Sequence, residues 1–399
     1  MSSLTGADLS RTTGVQQRTR LHGLDALRAG ALLLGIVLHS LLPFLPWVPW
    51  LVVDSRSSWL AGIPVYAIHL FRMALFMLLA GYFGRMVLHR RGTGIYLRDR
   101  VIRIGLPLIA FWPIAVLSLG ILAMFNVQVN DVQPVVPPQA DDPLAAFTPG
   151  QLWFLWVLLQ CVAIVIVVRA VTVRLLGEQR CARLGDRIGW LLSSPGGVLL
   201  AAGPYLVALL IQGTVLGGII APETVRPSAS ALTAYLGAFV VGWALHARVD
   251  ALTRIARFWP VSLAAAVILS VLGFVQSDPT SPVPLPIAAL VMALAGWSWT
   301  YALLGLCTRF LTAERPTIRY LADASYWMYL IHLPLLVGFE ILLVSQLWPI
   351  LLKLGLTWLV VSAVMVVSYH LLVRSTPIGR WLNGHRYPFH LPFRGESGT

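Results

Sequence analysis

Apolar runs of about 20 residues recur along this chain, and short polar segments separate them. A helix needs about 20 mostly apolar residues to cross a bilayer. Runs of that kind lie at roughly 25–45, 63–87, 104–125, 152–173, 190–212, 231–247, 258–276, 285–307, 323–346 and 350–373. The pattern predicts an all-α, polytopic transmembrane helix bundle of about ten spans. The run at 190–212 is the weakest, because "SSPGG" at 193–197 breaks its start and moves the expected helix start to Gly197. No internal repeat of 20–50 residues is visible.

Composition agrees with this reading. The chain has 399 residues, 58% hydrophobic and 11% charged, with mean hydropathy +0.79; a soluble domain carries about 25% charged residues. The net charge of +13 raises the question of nucleic acid, but its placement answers otherwise. Arginines gather in alternate segments: 11–28, 85–103, 174–187, 248–257, 309–319 and 374–394. The segments between hold Arg56 and Arg226, with Lys353 near a helix end. Positive residues mark cytoplasmic segments, so both termini are expected in the cytoplasm, the protein in the plasma (inner) membrane, and no nucleic-acid face. Residues 1–22 read as a cytoplasmic tail, 23–373 as the membrane domain and 374–399 as a basic cytoplasmic tail. The first 20 residues lack an apolar core before a cleavage site, so no removable signal peptide is expected. The outer segments 126–151 and 276–286 are rich in proline and read as irregular loops. Cys161, Cys181 and Cys307 form no CxxC pair; they read as small buried residues, with no disulfide framework, metal site or bound cofactor expected.

Charged and imidazole groups inside membrane spans are costly and usually functional. The first span carries Arg28 and His39 in "LDALRAGALLLGIVLHS". Eleven residues at 100° each bring His39 about 20° past three full turns from Arg28, on one stripe, with a rise of about 16 Å. Arg28 is thereby placed at the cytoplasmic edge, three residues after Asp25, and His39 near mid-depth. The second span places His69 and Arg72 three apart, about ten residues from its outer end, too deep for easy snorkelling. The small pair in "LLAGYF" (78–83) offers a close approach to a helix or a ligand. In "GRMVLHRRGTGIYLRDRVIR" (84–103) the arginines exceed what topology needs, and Arg100 and Arg103 open the third span. A guanidinium fork suits phosphates, so a cytoplasmic polyphosphate-bearing partner is expected there. The ninth span holds Tyr329 and His332 ahead of Pro334, which removes a backbone donor, and Glu340 further out. The tryptophans of "QLWFLWVLL" (151–159) fit an interfacial belt. An anion site on one side and histidines deeper in suit transfer of a group across the bilayer. A histidine, with unperturbed pKa of about 6.5, can serve as general base. A secondary transporter for a small anion or glycolipid is the competing class, and such proteins show repeats and paired broken helices.

Four segments in order resemble the acyltransferase 3 family of multi-pass membrane acyltransferases over roughly 20–372. They are Arg28 and His39 with ten residues between them on the first helix, Arg100-x-x-Arg103 before Pro107, "LWFLWVLL", and "SYWMYLIHLPLL". "HLFRMALFMLLAGYFGRM" resembles the glucan biosynthesis protein C subgroup, although Ala74 and Met77 stand in place of that subgroup's usual residues in "FRMPLFF". The resemblance implies an acyl-CoA (acetyl-CoA or succinyl-CoA) as cytoplasmic co-substrate and a hydroxyl of an extracytoplasmic glycan or glycolipid as acceptor. It implies catalytic roles for His39 and Arg28, acyl-CoA phosphates on Arg100 and Arg103, and a transfer site lined by Arg72, His69, Tyr329 and His332.

Overall fold

A computed structural model describes the backbone of residues 6–45, 47–48, 50–131, 147–222, 224–276 and 283–388, with side chains from residue 22 onward. The loops expected at 126–151 and 276–286 lie outside it at 132–146 and 277–282, as does the tail beyond 388.

Among the described residues all regular structure is helical, without strands. In hydrocarbon every backbone N–H and C=O needs an internal partner, and a helix supplies one. The helices are α1 (Gly6–Leu41), α2 (Gly62–Arg91), α3 (Thr93–Arg100), α4 (Leu106–Asn130), α5 (Trp153–Leu176), α6 (Glu178–Leu192) and α7 (Gly197–Gln212). They continue with α8 (Ala229–Ala247), α9 (Ala251–Ile255), α10 (Trp259–Val275), α11 (Leu285–Phe310), α12 (Pro316–Leu343), α13 (Ile350–Ser368) and α14 (Pro377–Asn383).

Each of the ten expected runs is helical, but they differ in kind. Among the described residues, eight helices are long and apolar enough to cross a membrane by themselves. The run at 190–212 breaks where "SSPGG" predicts. Here α6 and α7 meet at 97°, and the pair makes at most a ninth span. The run at 258–276 becomes α10, which has 17 residues and is short for a crossing.

Small residues set the packing around α2. Gly81 of α2 faces the Phe239 carbonyl of α8, and Gly242 of α8 faces the Leu78 carbonyl of α2; a Cβ at either position would collide with backbone. In the "LLAGYF" pair, Gly81 therefore serves helix approach, while Ala80 lines an internal cavity. Gly296 of α11 meets the Leu70 carbonyl in the same way. These contacts make α2 central, with Leu75, Met77, Leu78 and Leu79 all but fully buried. By contrast, α4 exposes Ile109, Ile114, Leu117, Ile121 and Met124, a lipid-facing surface.

Proline chemistry shapes the elements near the site. Pro107 opens α4 after a π-helical turn over Val101–Gly105. Having no N–H, it cannot bond the carbonyls one turn back. The Tyr326 hydroxyl donates to the Arg103 carbonyl at 2.6 Å, and Trp381 Nε1 to that of Ile102 at 2.7 Å. In α12, Pro334 leaves the Leu330 carbonyl without its helical donor, and Gln151 Nε2 supplies one at 2.9 Å. The helix continues through Pro334 because another element satisfies the freed group.

Candidate functional site

One cavity of about 550 Å³ runs among α1, α2, α5 and α12. Its two ends have different chemistry. Arg28, Arg100 and Arg103 line one end with Asp323 and Asn383; His39, Trp50, Gln151 and His332 line the other; Arg72 and Tyr329 lie along the same wall.

At the basic end the arginines are held by carboxylates. Arg103 Nε lies 2.9 Å from Asp99 Oδ1, and Arg100 Nη2 lies 3.4 Å from the other oxygen. The Arg100 guanidinium also covers the Tyr96 ring, 5.1 Å from its centroid. Arg28 Nη2 is 3.5 Å from Asp25 and donates to the Ala322 carbonyl at 3.4 Å. Nε of both Arg28 and Arg100 has no hydrogen-bond partner. The carboxylates thus fix the forks while donors remain for an anion. The segment after α13 closes this end. In it, Asn383 Nδ2 donates to the Asp323 carbonyl at 2.9 Å, and the Tyr387 hydroxyl to the Asp323 carboxylate at 2.9 Å. The start of the expected cytoplasmic tail is therefore a wall of the cavity.

Arg72 is 9% exposed, its Nε is unpartnered, and it has no ion-pair partner among the described residues. It reaches across α1 at Gly35, where a Cβ would stand 2.6 Å from Nη1. Gly35 lies one turn before His39, so α1 passes Arg72 directly beneath the histidine.

At the far end His39 and His332 face one another with ring centroids 5.3 Å apart. Trp50, from the segment after α1, stacks on His39 at 5.6 Å and 14°. His332 Nδ1 bonds the Tyr329 carbonyl at 2.8 Å. A carbonyl only accepts, so Nδ1 carries the proton and Nε2 of the neutral ring keeps its lone pair. The Tyr329 hydroxyl donates to the Gln151 carbonyl at 2.9 Å. Three buried groups here lack partners: His39 Nδ1, the Trp50 indole N–H and Gln151 Oε1.

The structure thus brings together Arg28, His39, Arg72, Arg100, Arg103, Tyr329 and His332. It places His69 elsewhere: His69 is not among the cavity-lining residues, and its Nδ1 donates to the Val65 carbonyl at 3.1 Å. His69 stays within electrostatic reach of Arg72 but points its ring to its own helix backbone. Trp153, expected in an interfacial belt, lines the cavity and packs on Tyr235 at 5.7 Å. Trp50, Gln151 and Gly35 are missed in the sequence. Gln151 alone had a signal, standing first in "QLWFLWVLL".

The fold and the cavity define a multi-pass membrane protein built around an internal chamber, with arginines at one end and paired imidazoles at the other. The chain belongs to the acyltransferase 3 family, whose model, described as an acyltransferase domain, matches residues 21–379. Among curated proteins it is similar to glucans biosynthesis protein C of Salmonella paratyphi B, Salmonella heidelberg and Salmonella schwarzengrund. Each match is 31% identical over 140 residues, 35% of this chain and 36% of the relative. The chain thus matches about a third of the length of these relatives. No solved structure matches it.

Proposed function

We propose that this acyltransferase takes an acyl group from cytoplasmic acyl-CoA and delivers it to a hydroxyl of an extracytoplasmic glycan or glycolipid, in the plasma membrane. The observation that carries this reading is the single cavity joining Arg28, Arg100 and Arg103 to His39 and His332. Donor phosphates would sit on the free guanidinium N–H groups, and the pantetheine arm would extend toward the histidines. An acceptor hydroxyl adds to the thioester carbonyl while its proton passes to an imidazole. Collapse forms the ester and expels the CoA thiolate, which takes a proton. His39 is the base on this reading, with Trp50 fixing its ring. His332, with its tautomer set by the Tyr329 carbonyl, is placed beside it to orient the acceptor through Nε2.

Arg72 bears on the acyl group. A buried guanidinium without a carboxylate partner is expensive, and a carboxylate-bearing acyl chain would supply one. This favours succinyl over acetyl, and the name of the similar Salmonella proteins favours a glucan acceptor. Purified protein should bind radiolabelled succinyl-CoA more tightly than acetyl-CoA. Arg72→Lys, which keeps charge but loses the bidentate fork, should narrow that preference. Arg100→Ala with Arg103→Ala should weaken binding of both donors; unchanged affinity in this double variant would remove the arginines from the phosphate site.

A further inference from the structure

A second group of arginines and histidines lies outside the chamber, where α2, α5, α6 and α8 meet. Arg85 and His89 come from α2, Arg169 from α5 and His246 from α8. The His89 and His246 rings are stacked 6.5 Å apart at 19°, and Tyr82 stands edge-on to His246 at 4.9 Å. Arg85 covers the Trp243 ring at 5.9 Å. Its guanidinium also abuts Gly185 of α6, where a Cβ would come within 3.3 Å of Nη2. Arg169 is within electrostatic reach of both Arg85 and His89.

Topology alone does not explain this cluster. An arginine that merely marks the cytoplasmic side extends into water. Arg85 instead lies half-buried between helices. Arg169 stands seven residues before the end of α5, about 10 Å into the helix. Carboxylates are scarce here. Arg85, Arg169 and His246 have no acidic partner among the described residues. Asp186, next to Gly185, is bound by Arg248 at 3.2 Å, and Glu178 is within electrostatic reach of His89. The buried His246 Nδ1 has no hydrogen-bond partner. The Arg85 and Arg169 guanidiniums repel one another and form no ion pair among the described residues, so the site is incomplete without an anion.

The surroundings identify its source. Arg169 lies about 40° from buried Val165, on the side of α5 that faces the other helices, while α5 turns Val168, Val171 and Leu175 outward. Beside it, α6 exposes Leu184, Ile188 and Leu191 at helical spacing, with Arg180, Arg183 and Arg187 on the same short helix. That is the build of a helix lying in the bilayer interface. A free phosphate needs no apolar flank, whereas a lipid has acyl chains to lay along one. We propose that the junction of α2, α5, α6 and α8 binds the phosphodiester of an anionic glycerophospholipid, with its chains along the exposed apolar residues of α6.

Native mass spectrometry of the full-length protein, released from detergent with phosphatidylglycerol or with phosphatidylcholine of the same chains, tests this. We expect a phosphatidylglycerol adduct that survives collision energies at which phosphatidylcholine is lost. Arg169→Gln should weaken that adduct about tenfold, the worth of one charge-assisted hydrogen bond. This substitution removes one charge and keeps a long hydrogen-bonding side chain, so insertion should persist. Arg85→Gln should act in the same direction. Equal retention of the two lipids, or a phosphatidylglycerol adduct unchanged in both variants, would overturn the proposal. So would displacement of the lipid by equimolar glycerol phosphate, which would make the site one for a free phosphate ester.

Discussion

At the level of single residues, the pair of Gly35 and Arg72 controls the middle of the chamber. The guanidinium passes α1 only because position 35 has no Cβ. Gly35→Ala should push it aside and misplace whatever it holds. Turnover should fall about a hundredfold, the effect of displacement by about 1 Å in a positioned reaction, with helix propensity improved and the fold kept. Steady-state kinetics in membranes, with thermal stability measured alongside, separates the two effects. Full activity in Gly35→Ala would mean that Arg72 does no positioning. The sequence makes half of this legible. Arg28 and His39 declare themselves by spacing along one helix, and Arg72 by its depth in an apolar run. Gly35 is silent, because its role depends on a side chain from another helix. Arg169 is also overlooked when arginines are counted by segment, since it stands inside a span.

Among elements, the segment between α1 and α2 is the one that local pattern does not predict. It carries Trp50 to His39 and is fastened two ways. Lys353 of α13 holds both oxygens of Asp54 at 2.7 and 2.8 Å, with side-chain exposures of only 2% and 4%. Asn126 Nδ2 donates to the Leu51 carbonyl at 2.9 Å. Lys353 reads in sequence as a charge near an outer helix end; in the fold it is buried. Lys353→Met leaves Asp54 buried and unpaired and should destabilise the protein by about 3–5 kcal/mol. Lys353→Met together with Asp54→Leu should recover most of that loss. A double variant no more stable than the single one, by thermal unfolding in detergent, would refute this account of the pair. Glu340 nearby gains no such partner: both its oxygens are buried without hydrogen bonds. Breaks were easier to foresee. "SSPGG" marks the bend between α6 and α7, and Pro334 marks a freed carbonyl, although its partner Gln151, 179 residues away in sequence, is visible only in the fold.

For the molecule as a whole, the hydrophobic pattern foretells the helix bundle, and arginine placement proposes its sidedness. The chamber follows from neither. It forms because α1, α2, α5 and α12 converge, and periodicity along one helix does not say which helices meet. His69 shows the limit, since it shares a helix and an apolar run with Arg72 yet stays outside the cavity. The central claim is that acyl transfer runs through this chamber and ends at His39. Its most direct test is mass spectrometry of cell-envelope glycans from a deletion strain carrying either the wild-type protein or His39→Ala at matched membrane levels. The account predicts that the wild type restores an acetyl or succinyl mass increment and that His39→Ala does not. Full restoration by His39→Ala would contradict it.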